Sequence, residues 1–314
     1  MLIAGPNLTL DRTLAIAELR PGEVLRFDRG VVTPGGKGLD LGRAARALGH
    51  PAVVVSLLPG RTGEAAAALI ADLGLDLHAV PCGGELRSAS IIRERDGRTT
   101  VLDEPGPAID EDEWSDYERA IEERLGGHGV LICAGSVPPG SPPNAYGRLV
   151  ALAQAAGVTS VVDAAGETLL RALDAAPDLV TPNLADTETA LGPASGGQSV
   201  LTAADAGPRA LAAAAALVRQ GARSAIVTAD AEGAAVHASG ETPRWIAAPR
   251  VAEVRNPIGA GDVLTSAVAA ALERGELLAA AARAGVAAAS ASVEHPTAGE
   301  FDPARALELE ATLA

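Results

Sequence analysis

Short runs of consecutive apolar residues alternate along the chain with longer stretches whose apolar positions recur at helical spacing. Residues 1–5, 52–58, 129–135, 158–163, 179–181 and 224–228 are continuous runs rich in Val, Ile, Leu and Ala, the pattern of strands buried on both faces. Residues 42–48, 63–73, 117–125, 144–156, 167–173 and 210–219 are helix-prone. Strand–helix alternation predicts an α/β fold, a parallel sheet with helices on both sides. Ligand-binding side chains are then expected at the carboxyl ends of the strands, where Pro6-Asn7, Gly135-Ser136 and Asp163 fall.

Two segments interrupt this rhythm. Residues 20–32 and 85–104 alternate polar and apolar positions, as half-exposed β segments do, and the second carries a turn signal at Asp96-Gly97. Together they predict a small antiparallel sheet projecting from the core as a lid. The expected division is a core of residues 1–10, 33–84 and 106–314, and a lid of residues 11–32 and 85–105. Residues 191–208, small and polar, predict a flexible surface loop, and no internal repeat is evident.

Composition narrows the function. The 314 residues are 48% hydrophobic, enough for a substantial core, but only 2% aromatic, which argues against an aromatic-lined groove. A net charge of −15 repels nucleic acid and anionic membrane, while leaving room for a small phosphorylated ligand held by a few local cations. Cys82 and Cys133 lack metal-ligand or CxxC spacing and read as ordinary reduced thiols. No secretory leader or membrane-length apolar segment is apparent, so the expected location is cytoplasmic.

Two glycine-rich motifs carry candidate chemistry. The first, PGGKG at residues 34–38, contains Lys37, the single lysine of the chain. It is no P-loop, since a P-loop needs Ser or Thr after the lysine. Its glycines and the helix that follows suit an anion; they equally suit a plain turn with Lys37 in solvent. All other basic side chains are arginine, and a compact ammonium fits a tight glycine pocket that a guanidinium would not. The second motif, NPIGAGD at residues 256–262, precedes an apolar-periodic helix. Asp262 could simply cap that helix. Alternatively, Gly259, Ala260 and Gly261 offer N–H groups to a transferring phosphoryl, with Asp262 as the base that takes a proton from the attacking hydroxyl.

With NLTLD (7–11), EPGP (104–107), LICAGSVPPG (131–140), VVDAAG (161–166) and Pro182-Asn183, these motifs resemble, in order and across the whole chain, the PfkB (ribokinase-like) sugar kinases. The similarity is to the branch of 1-phosphofructokinases and tagatose-6-phosphate kinases. It implies a ribokinase-like three-layer core with a small β lid, and transfer of the γ-phosphoryl of ATP, with Mg2+, to a sugar-phosphate hydroxyl. It also implies a homodimer paired through the lids. By this resemblance Asp262 is the catalytic base and Gly259–Gly261 the anion hole. Asp11 grips sugar hydroxyls, and Lys37, Arg87 and Arg26 hold the acceptor's own phosphate, with Gly36, Gly38, Asp40 and Asp103 around the acceptor. Asn183 and Asp186 match an Asn-x-x-Glu element that holds magnesium through water, and Thr228, Asp230, Gly233 and Asn256 belong to the nucleotide site.

Several positions depart from the family pattern. Asp40 and Asp103 stand where Asn is usual, Ala89 where the lid has Asn, and Thr181 where a lysine precedes Pro182. Thr228-Ala229-Asp230 replaces a Ser-x-Gly turn. These changes add negative charge and remove a cation and an amide, and lost pairing to a substrate hydroxyl changes specificity strongly. Two alternatives follow: a kinase for an unphosphorylated sugar or polyol, and a catalytically weak member of the fold that binds a sugar phosphate.

Overall fold

The computed structural model describes residues 1–27, 30–192 and 202–313. In chain order its strands are β1 Leu2–Ala4, β2 Thr9–Ile16, β3 Gly30–Gly35, β4 Val53–Pro59, β5 Asp76–Cys82, β6 Ser88–Glu94, β7 Thr99–Asp103, β8 Val130–Ala134, β9 Thr159–Asp163, β10 Leu179–Val180, β11 Ser224–Thr228, β12 Gly233–Ala238 and β13 Arg244–Ala247. The helices are α1 Lys37–Ala47, α2 Gly60–Asp72, α3 Glu111–Leu125, α4 Ala145–Ala156, α5 Gly166–Leu173, α6 Leu184–Leu191, α7 Ala203–Arg219, α8 Ala260–Glu273, α9 Leu278–Ser292 and α10 Pro303–Glu310.

The main sheet runs β13-β12-β11-β10-β9-β8-β1-β4-β5. Every pairing from β11 to β5 is parallel, and only β12 and β13 at one edge are antiparallel. The apolar runs are continuous because each strand is covered twice. In β1, Leu2 and Ala4 pack toward α3, α4, α5 and α7, while Met1 and Ile3 pack toward α1, α2, α8 and α9. Each such Leu or Ile contributes about 1.5–3 kcal/mol on burial. The helices are punctuated as local rules require. For example, the Asp110 carboxylate accepts from Glu113 N while the Glu113 carboxylate accepts from Asp110 N, closing a capping box ahead of α3.

The chain leaves β1 toward β4 and β5 on one side and returns as β8 on the other. This reversal opens a crevice at the carboxyl ends of β1 and β8, where a ligand site is expected in such sheets.

A second sheet, ordered β3-β2-β6-β7, stands apart. Its two hairpins, β2–β3 and β6–β7, are antiparallel, and they meet along a parallel seam from Leu10↔Ser88 to Ile16↔Glu94. The β6–β7 hairpin turns at Asp96-Gly97, with Gly97 at φ 93° and the Asp96 carboxylate accepting from Arg98 N. The reading of residues 20–32 as one strand is corrected: described residues 20–27 carry no strand, and the strands are β2 and β3. The polar alternation of β2, which begins at Thr9, was hidden by its overlap with the NLTLD motif. Of the stretch 191–208 expected as a loop, residues 193–201 lie outside the described residues, while residues from Ala203 onward are already helical in α7. Helix α1 begins at Lys37, ahead of the helix-prone stretch 42–48, because Gly36, at φ 101°, lets the chain turn straight from β3 into the helix.

Candidate active site

The crevice between β1 and β8 holds a cavity of about 270 Å³. Asn7, Lys37, Arg87, Ser136, Thr168 and Asp186 present side chains to it. The loop after β1 is fixed by Asn7, whose Nδ2 donates to Pro105 O at 3.1 Å and to Ser136 Oγ at 2.9 Å. A side chain on Gly36 would be crowded and strained, since a Cβ there would lie 3.2 Å from Leu8 Cα and φ is 101°. This close approach delivers Lys37 to the cavity floor.

Lys37 Nζ lies 2.6 Å from Asp163 Oδ1 and 3.7 Å from Asp262 Oδ1. Its side chain is 42% exposed, because the ammonium faces the cavity although protein surrounds the stem. Burial favours loss of its proton, but the neighbouring Asp163 and then Asp262 outweigh this and raise the pKa further above the ordinary lysine value. Asp163, at the carboxyl end of β9, also accepts from Thr265 Oγ1 at 3.3 Å, and Thr265 Oγ1 lies 2.9 Å from Thr181 Oγ1. The hydroxyl of Thr181, at the position where the family has lysine, thus connects through Thr265 to the carboxylate that holds Lys37.

Asp262 is in the first turn of α8, behind Gly259 in the left-handed conformation at φ 83°. A Cβ on Gly259 would lie 3.1 Å from Gly299 N, a crowded contact, and the left-handed backbone would strain a side chain there as well. Burial raises the Asp262 pKa well above the ordinary range; Lys37 opposes this, and Asp163 and Asp40 reinforce it. At 3.7 Å the Lys37 contact is a charge interaction and no hydrogen bond. Asp262 Oδ1 is buried without a hydrogen-bond partner among the described residues. Asp262 itself lines neither cavity; its neighbour Lys37 lines the smaller one and Ala260 and Gly261 the larger.

The acceptor residues divide. Arg87 reaches the cavity, but its guanidinium is heavily engaged: it donates to Asn7 O, Leu8 O and Glu104 O, and at 2.6 Å to Asp103 Oδ1. Asp103 itself is 55% exposed on β7. Asp11 lies against Gly35, where a Cβ would come within 2.2 Å of Oδ2, and its buried Oδ1 has no partner among the described residues. Burial raises the Asp11 pKa, with Thr9 and Arg87 opposing. Asp40 pairs with Arg43, whose other arm donates to Pro34 O at 2.6 Å. Arg26 is exposed between β2 and β3 and lines neither cavity, and Ala89 is buried in β6.

A second cavity, of about 430 Å³, is lined in part by the start of α8. Asn183, Thr228, Asp230, Gly233, Ala260 and Gly261 form its polar end, and Val251, Val254, Val286 and Val293 belong to an apolar wall. Asn256 lies outside it, holding the loop before α8 by accepting from Ile258 N and donating to Pro296 O. Asn183 caps α6, accepting from Asp186 N at 2.7 Å and donating to Asp186 Oδ2 at 2.8 Å. Asn183 faces the second cavity and Asp186 the first, so this pair stands at the junction of the two. Its donors, one amide and one carboxylate, are the hard oxygens a magnesium ion prefers, and their small number suits binding through water. Among the described residues no group of three or more His, Cys, Asp or Glu could hold a metal by itself.

The sequence places Asp163 at a strand's carboxyl end, where ligand-binding side chains are expected, but does not show its pairing with Lys37, and it does not single out Thr265, Thr168 or Arg43. The available signal was a lone carboxylate closing an apolar strand. The hydroxyls carried none, since Ser and Thr in such positions are commonplace.

Fold and cleft define an α/β kinase of the ribokinase-like class. The chain belongs to the pfkB family of carbohydrate kinases, whose pattern it matches over residues 8–305. It is 32% identical over 177 residues to ATP-dependent 6-phosphofructokinase isozyme 2 of Escherichia coli (strain K12), an alignment covering 56% of this chain and 57% of that protein. It is 27% identical over 271 residues to 1-phosphofructokinase of Xanthomonas campestris pv. campestris, covering 85% and 82% respectively. The crystal structure of Phosphofructokinase-2 from Escherichia coli in complex with substrates and products superposes with a TM-score of 0.85 at 27% identity, covering 100% of this chain and 99% of that one.

Proposed function

We propose that this protein transfers the γ-phosphoryl of ATP to a hydroxyl of a phosphorylated sugar of the kind used by 1-phosphofructokinases or tagatose-6-phosphate kinases. The observation that carries this is the position of Asp262: a buried carboxylate beside Lys37, which lines the smaller cavity, on the helix whose first residues line the larger one. The acceptor occupies the smaller cavity and the nucleotide the larger. Asp11 orients acceptor hydroxyls, and Lys37 and Arg87 supply the positive charge that draws an anionic acceptor into an otherwise acidic protein.

Catalysis follows from placement. Asp262 takes the proton of the attacking hydroxyl as its oxygen bonds to the γ-phosphorus, and the bond from that phosphorus to the bridging oxygen breaks, the electron pair leaving with ADP. The N-terminal amides of α8 at Gly259, Ala260 and Gly261 meet the charge of the transferring group, aided by the helix dipole. Lys37 serves twice, offsetting the charges of Asp163 and Asp262 and supplying a cation beside the reacting atoms. Asn183 and Asp186 would hold magnesium through water; the ion supplies charge neutralisation to the nucleotide phosphates. The second sheet, β2, β3, β6 and β7, acts as a lid that excludes water. Its exposed apolar side chains, Phe27, Val31, Val32, Val101 and Leu102, fit pairing with the lid of a second copy.

A panel measuring ATP consumption with phosphorylated and free sugars tests this. Turnover confined to unphosphorylated sugars would remove the phosphosugar assignment. A neutral polyol is the second reading, favoured by the unpartnered Asp11 carboxylate and by Asp40 and Asp103 nearby.

A further inference from the structure

Asp230 is one of two non-glycine residues with positive φ among the described residues, at 48°. It opens a single 3-10 turn, residues 230–232, at the end of β11, and its exposed carboxylate borders the larger cavity. A left-handed backbone disfavours any side chain, though Asp tolerates it better than most. The cavity it borders has no lysine, arginine or histidine among its lining residues, so Asp230 is its one charged side chain among the described residues. Physiological salt screens a charge over about 8 Å, so an anion seated at the Thr228–Gly233 end of the cavity feels this carboxylate.

We propose that Asp230 discriminates among nucleotides by charge, weakening the binding of each in proportion to the net negative charge on its phosphates. This rests on the reading of the larger cavity as the nucleotide site. The carboxylate does not contact a base or ribose hydroxyl. It acts at a distance on the phosphate chain, and so penalises metal-free ATP most, ADP less, AMP less again and adenosine not at all.

Two variants separate charge from backbone strain. Asp230→Asn keeps a side chain in the left-handed turn and removes the charge, whereas Asp230→Gly removes both. Calorimetric titration of the intact protein with adenosine, AMP, ADP and ATP, in chelator and at low ionic strength, gives the ladder directly. Asp230→Asn should tighten ATP on the order of tenfold and ADP less, leave adenosine unchanged, and lose most of its advantage in 0.5 M salt. Asp230→Gly should show the same ladder with a higher Tm. A uniform change across the four ligands, or weaker binding of adenosine by Asp230→Asn, would mean a direct ribose or base contact and overturn the proposal. Tight binding without a ladder sinks the charge effect alone. Failure of the wild type and both variants to bind any of the four sinks the nucleotide assignment with it.

Discussion

Lys37 Nζ stands 3.7 Å from the Asp262 carboxylate, bringing the two glycine motifs, from opposite ends of the chain, together at one point. The lysine is held there chiefly by Asp163, at 2.6 Å. An anion entering the smaller cavity would have to compete with that carboxylate for the ammonium.

Asp262→Asn should lower kcat by roughly a hundred- to ten-thousandfold, the usual scale for a general base. The same change should raise Tm. Burial has lifted the Asp262 pKa above its unfolded value, so between those two values stability falls as pH rises. At neutral pH the carboxylate opposes folding, and the neutral amide relieves this. Steady-state kinetics and thermal melts on one preparation check both outcomes.

Removing the ammonium with Lys37→Met should shift the acid limb of the pH–rate profile. Lys37 favours the ionised form of Asp262, so without it the base protonates at higher pH and activity is lost earlier on acidification. A limb that stays in place would show that the lysine does not act on the base.

Gly35→Ala places a methyl 2.2 Å from where Asp11 Oδ2 now lies, so the carboxylate must move. KM for the acceptor should rise about tenfold or more, with KM for ATP unchanged, because Gly35 is remote from the larger cavity. Initial-rate kinetics against each substrate separate the two.

Arg87→Ala strips donors from Asn7 O, Leu8 O and Glu104 O, which join the second sheet to the loop after β1. The expected loss is about 2–3 kcal/mol, the scale for charged hydrogen bonds left unmade. Faster limited proteolysis at residues 85–105 than in the core would locate the damage.

Leu102 is 61% exposed on β7 beside Val101 at 52%. If the lids pair, Leu102→Asp buries a charge at that seam and should yield monomers in sedimentation velocity runs. Unchanged sedimentation would place any subunit contact elsewhere.

The apolar runs at residues 129–135, 158–163 and 224–228 revealed their strands because both faces of a parallel sheet are buried, and nothing but a continuous run satisfies that. β5 escaped notice because it is an edge strand, with Asp76 and Pro81 breaking the run. β12 and β13 are short and Ala- or Arg-containing, so their identity depended on pairing with β11. The glycine motifs were legible for a similar local reason: Gly36 and Gly259 adopt positive φ, which glycine alone adopts freely.

What the chain order by itself determined was the set of buried strands, the two glycine turns and the carboxylate that follows the second. Tertiary structure decided who faces whom. It assigned Lys37 to Asp163 and Asp262, tied Thr181 to that group through Thr265, drew Arg87 onto backbone carbonyls and left Arg26 in solvent. Local sequence encodes backbone preference and burial, which act over a few residues. Charge pairing across a cleft depends on distances that exist only once the sheet has brought remote loops together.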